Sequence, residues 1–191
     1  MNTYTSKNFS HLLGTPGLSD VMLTNHFALY EGYVKNVNLL LELIPTKAIG
    51  TPEYTELKRR FGWEWNGMRL HELYFENLSQ NENAPALDTL LEEKIVASFG
   101  SLEAWSEEFF GSALMRGIGW VVLTQDDSTG QLFNTWINEH DGGHLAGSKP
   151  LLVIDVFEHA YITDYGIKRA DYIAFCKTHI DWNVVSSRLM H

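Results

Sequence analysis

The chain has 191 residues, 45% of them hydrophobic, enough for one domain or two small ones around a sizeable core. Its 14 Lys plus Arg stand against 24 Asp plus Glu, a formal charge of -10, and no basic block or aromatic-basic interleaving occurs, which argues against nucleic acid as a partner. The single Cys176 excludes an intrachain disulfide and a thiolate-rich metal site, while the polar start Met1 to Lys7 and the lack of any apolar run near the ~18 residues of a membrane span predict a soluble, cytoplasmic protein with no membrane partner.

After the turn Gly14-Thr15-Pro16-Gly17, Ser19 and Asp20 offer an N-cap for a helix running to about Leu43, before Pro45. Met22, His26, Leu29, Tyr33, Val37, Leu40 and Ile44 recur every three or four residues, the repeat of one buried face that includes His26 and Tyr33. A loop rich in Gly, Pro and Thr, Pro45 to Pro52, leads into a second helical pattern with Leu57, Phe61, Met68, His71, Phe75 and Leu78 on its stripe. Two long helices so closely joined predict an antiparallel hairpin in which His26 and His71 can face one another. The polar stretch Ser79 to Pro85 is the expected boundary between an N-terminal helical hairpin domain, 1–84, and a C-terminal α/β domain, 85–191.

Two amphipathic helical segments follow, about Leu87 to Ser98 and Leu102 to Met115, separated by Gly100-Ser101. The period then shortens. Gly119 to Thr124, Gln131 to Ile137 and Leu151 to Ile154 are β-branched and aromatic runs around the turn Asp127-Ser128-Thr129-Gly130, and predict three antiparallel strands. Helices close the chain, roughly Lys168 to Thr178 and Trp182 to Leu189, the latter capped by Asp181. The expected fold class is α+β: an N-terminal antiparallel helical hairpin followed by a mixed domain with a three-stranded antiparallel sheet and flanking helices.

Just after the last strand, Asp155-Val156-Phe157-Glu158-His159-Ala160-Tyr161 sets a carboxylate and an imidazole four residues apart. If the backbone turns helical there, both face one way and can grip one transition metal, with further ligands coming from elsewhere. This segment closely resembles the D-V-W-E-H-A-Y signature of the iron/manganese superoxide dismutase family. Several other stretches are similar to that family as well: Tyr33-Val34-Lys35-Asn36-Val37-Asn38 to its Y-V-x-x-L-N, His71 to Phe75 to the motif around its second histidine, Ala97 to Ser101 to A-S-F-G-S, Gly119-Trp120 to its G-W, and Arg169 to Tyr172 to R-P-x-Y. The resemblance runs from about Asn25 to Leu189.

It implies that His26, His71, Asp155 and His159 bind one Fe or Mn ion per chain, and that the substrate is the superoxide anion. Tyr33 would gate the substrate channel, Trp120 would line the metal pocket, and Arg169 would be the cation near the channel mouth, aided by Lys35 and Arg69. A glutamate in so apolar a run needs a partner if buried. In the family that glutamate bonds across a twofold interface to the partner's ligand histidine, so Glu158, with Tyr161 beside the site, implies a homodimer.

The chain also departs from the family. Tyr33 stands seven positions after His26 where the family usually has an offset of eight, which would let Asn25 align with the ligand; only His26 shares the apolar face with Tyr33. Leu29 replaces the histidine usually bonded to the gating tyrosine, and Arg69 and Phe157 replace two tryptophans of the pocket. The glutamine that holds the metal-bound solvent is missing from its first possible position, Gly67, and His140 stands at its second, with a pKa of about 6.5 expected to bring pH sensitivity. His144 is expected at the surface or orienting His140, and His11, His179 and His191 join no constellation. Rival readings are a hydrolase or oxygenase using the same ligands, and a catalytically weak or inactive metal-binding protein of the same fold.

Overall fold

The computed structural model describes residues 3–83 and 85–190. Helix α1, Asp20–Leu43, begins where the Ser19 side chain accepts the Met22 N–H, and α2, Pro52–Glu76, where Thr51 does the same for Tyr54. Each is roughly 36 Å long. Asn36 meets Glu64, Tyr30 meets Glu72 and Phe27 meets Phe75, so the two helices run antiparallel as expected.

The buried face of α1 carries Met22, His26, Tyr30, Tyr33, Val37 and Leu40. Leu29, expected on it, is instead 36% exposed, because a 3.6-residue repeat leads from His26 to Tyr30. At the end of α2, buried Asn77 donates to the Tyr74 and Val153 carbonyls and accepts the Val153 N–H. That side chain ties the hairpin to the sheet.

Helices α3, Thr89–Phe99, and α4, Leu102–Ala113, are capped by Asp88 and Ser101. Strands β1, Gly119–Asp126, β2, Leu132–Asn138, and β3, Ser148–Asp155, pair antiparallel in the order β2-β1-β3. Central β1 is buried along nearly its whole length, whereas edge strand β2 buries only Leu132 and Ile137. A side chain at Gly119, where φ is +146°, would collide with the Ile137 carbonyl oxygen, so glycine is required where β1 starts. Trp120 then pairs with Ile137 on one side and Asp155 on the other.

The chain closes with α5, Ile162–Tyr165, which no sequence pattern suggests, then α6, Arg169–Thr178, and α7, Trp182–Ser187, capped by Asp181. The architecture is α+β. No helix among the described residues is long and apolar enough to cross a membrane. Cys176, on α6, is buried and unpaired, and burial pushes its thiol up to about 12.

Candidate metal centre

The hairpin sets His26 and His71 opposite one another, both buried, with their rings edge-on and centroids 5.0 Å apart. Asn25 is exposed, so the helix turns His26 and not its neighbour toward the core. Strand β3 delivers Asp155 as its last residue. The following backbone does not become the expected α-helix: Phe157 stays extended, and a 3-10 turn, Glu158–Ala160, swings His159 back. Asp155 Oδ1 accepts the Phe157 N–H at 2.8 Å and closes that reversal. Asp155 and His159 therefore converge through a turn, not along one helix face.

His26 Nε2 and His159 Nε2 each lie 3.1 Å from Asp155 Oδ2, and His71 Nε2 lies 3.7 Å from it. One ligand atom from each of the four residues lies within 4.8 Å of the others, a group able to hold a metal ion. His71 Nδ1 donates to the Gly67 carbonyl at 2.6 Å, which leaves Nε2 buried among the other three with no hydrogen-bond partner. An unpartnered buried nitrogen is costly, and a cation at that point satisfies it.

Burial pushes His26 below its ordinary pKa against the pull of Asp155, and pushes His71 well below it, with His26 adding to the effect. Both rings are neutral, with lone pairs to offer. Burial alone would raise the Asp155 carboxyl, but the pull of His159 and His26 beside it outweighs burial and holds it below the usual carboxylate range. Three imidazoles and one carboxylate suit iron or manganese.

His140 is fully buried, and both its nitrogens are engaged. Trp120 Nε1 lies 3.0 Å from Nδ1, and an indole N–H can only donate, so Nδ1 is the acceptor. Burial pushes His140 down to about 4, so the neutral ring carries its one proton on Nε2, which donates to the Tyr33 hydroxyl oxygen at 2.7 Å. The N–H expected to face a bound solvent is thus directed at Tyr33, and the expected titration near 6.5 is displaced downward. Burial raises the Tyr33 hydroxyl, which keeps its proton and, accepting from His140, can point it elsewhere. His144 is exposed and bonds the His140 carbonyl, not its ring, at 2.9 Å.

Gly67 makes room for Tyr33, since a Cβ there would lie 2.6 Å from its ring. Phe157 stacks between His140 and His159, at 4.8 and 5.1 Å. Arg69, expected in the pocket, turns outward instead: it donates to Glu72 at 2.6 Å and lies over Tyr4 and Trp65. Trp63, singled out by no sequence pattern, packs 4.5 Å from the His140 ring and 5.6 Å from Tyr33. Its i, i+4, i+8 spacing with Gly67 and His71 on α2 is the signal that could have found it.

Arg169 opens α6, donates to the Gly117 carbonyl at 3.0 Å and keeps Nε and Nη2 buried without a partner. Lys35 is exposed, and Tyr161 is buried with its ring on Tyr172. Glu158 is exposed, so the expected burial does not hold within the single chain. His11 is exposed, His179 stacks on Phe175 4.1 Å away, and His191 lies outside the described residues.

Comparison with known proteins agrees with this geometry. Residues 87–188 match the model of the iron/manganese superoxide dismutases, C-terminal domain. A superoxide dismutase (Fe) of Cupriavidus metallidurans is 37% identical over 90% of this chain and 88% of its own. A superoxide dismutase (Mn) of Haloferax volcanii is 35% identical over 91% and 87%, and a superoxide dismutase (Fe) of Aquifex pyrophilus 34% identical over 90% and 84%. Similarity of that extent to enzymes of both metals, over nearly the whole chain, places the protein in the iron/manganese superoxide dismutase family.

Proposed function

We propose that the protein disproportionates superoxide at a centre formed by His26, His71, Asp155 and His159, which hold one Fe or Mn ion per chain. The observation that carries this reading is the convergence of three imidazoles on one buried carboxylate. Iron or manganese supplies the one-electron change of oxidation state by which one superoxide becomes oxygen and a second, with two protons, becomes hydrogen peroxide. The side chains do the rest. The anionic Asp155 steadies the higher charge, and the neutral His26 and His71 leave their lone pairs free for the ion. Tyr33 retains a proton within the gate, His140 sets the direction in which that hydroxyl points, and Trp120 fixes the His140 tautomer. Arg169, with two guanidinium nitrogens unpaired, offers a local cation to an anionic substrate.

Leu29 supplies no relay to Tyr33, which is the observation favouring a weak or inactive metal protein; His140 gives the hydroxyl the partner that Leu29 cannot. The proposal includes a homodimer through the face bearing Glu158. That carboxylate is exposed beside His159, whose side chain is 28% exposed, and Ile162, four residues further on, is 49% exposed. It also includes two structural units, 1–84 and 85–191, each giving two of the four metal-facing side chains, and a cytoplasmic home, which the unpaired Cys176 fits.

Elemental analysis and superoxide decay measured on one sample test the function. The wild type should carry iron or manganese and accelerate the decay, and His71→Ala should lose both. Full metal in that variant, or zinc with no redox metal in the wild type, overturns the reading. Glu158→Ala should loosen the dimer and lower metal occupancy together; an unchanged dimer with normal metal by light scattering and elemental analysis removes the interface.

A further inference from the structure

The centre is closed off on the side of its gate. His26, His71, Asp155 and His140 are each at most 1% exposed, and Tyr33 is 9% exposed. Trp63 packs against both Tyr33 and His140. Its ring packs edge-on to His140, at 4.5 Å and 74°, and against Tyr33 at 5.6 Å. The Arg60 guanidinium lies 3.9 Å from the indole centroid, held there by an Nε bond of 2.7 Å to buried Glu64. The indole N–H reaches Glu139, in the loop just before His140, at 3.3 Å. Trp63 is thus fixed from α2 on one side and from the loop after β2 on the other. The vacancy of side chain at Gly67, one turn further along α2, lets Tyr33 lean onto the helix backbone beneath it.

We propose that Trp63 is a specificity-determining residue, a bulky wall that sets the largest anion able to pass the Tyr33–His140 gate. A diatomic anion needs a narrow opening beside the indole, whereas a longer linear anion must displace it along with the Arg60 clamp. The inference rests on the superoxide reading of the site, since it assumes that anions must reach the metal-facing side chains.

Two measurements test it on purified wild type, Trp63→Ala and Trp63→Phe. In the iron-loaded proteins, azide and fluoride titrations followed by the iron absorption should show Trp63→Ala favouring azide over fluoride by about ten-fold or more relative to wild type, the usual size of a steric effect at a pocket wall. Trp63→Phe should return most of the way to the wild-type ratio. Without any added metal, diethyl pyrocarbonate followed by peptide mass spectrometry should leave His140 unmodified in the wild type and in Trp63→Phe, but modify it in Trp63→Ala. An unchanged azide-to-fluoride ratio overturns the proposal. So does a His140 that stays protected without the indole, even if superoxide turnover proves absent and the functional reading fails on its own.

Discussion

Trp120 denies His140 a choice of tautomer. With the indole N–H on Nδ1, the only ring proton is on Nε2 and faces Tyr33. Trp120→Phe should leave Nδ1 buried and unsatisfied, at a cost of about 1–3 kcal/mol in urea unfolding, and should depress turnover by releasing the Tyr33 hydroxyl. An unchanged urea midpoint would show that the bond is not made in solution. The pH dependence has a definite sign. Burial lowers His140 from 6.5 to about 4 in the folded chain. Between those values the unfolded chain binds a proton that the folded chain refuses, so stability falls as pH drops through that window. His140→Gln should flatten that part of the curve of unfolding free energy against pH, and an equal slope in both proteins would count against the shift. Turnover, for the same reason, should show no step from His140 near 6.5.

Between elements, Asn77 closes α2 onto β3 through two hydrogen bonds to Val153 in a buried setting, braced by a third to Tyr74 of its own helix. Asn77→Ala strands the Val153 N–H and should cost about 1–3 kcal/mol or more, read as a lower midpoint of thermal unfolding. Local signals made the elements themselves legible. Ser19 and Asp181 cap their helices where their sequence positions suggest, and the β-branched and aromatic runs mark the sheet. His26 and His71 could be read from their stripes because a buried helix face is a periodic property. What depends on a turn or on three-dimensional neighbours was not readable in this way. Asp155 and His159 have the i, i+4 spacing of a helix, yet a 3-10 turn serves their convergence equally well. Arg69 and Trp63 lie on the same helix, and only packing against Tyr4 and Trp65 in one case and His140 in the other decides which points to the site.

Across the whole molecule, a formal charge of -10 repels an anionic substrate while Arg169 and Arg60 act only nearby. Raising the salt concentration shortens the Debye length from about 30 Å at 0.01 M to about 8 Å at 0.15 M, which screens the distant repulsion more than the local attraction. The second-order rate constant for superoxide should therefore rise with ionic strength over that range; a fall would mean that the local cations dominate. The proposed reaction also makes the protein live beside its own oxidant. Hydrogen peroxide attacks thiolates, and burial raises Cys176 to about 12 and hides it from solvent, so at neutral pH the sulfur stays an inaccessible thiol. After prolonged turnover, mass spectrometry should find oxygen added to Met115, which is 48% exposed, while Cys176 remains a thiol. A catalyst that sequesters its only thiol can outlast the peroxide it releases.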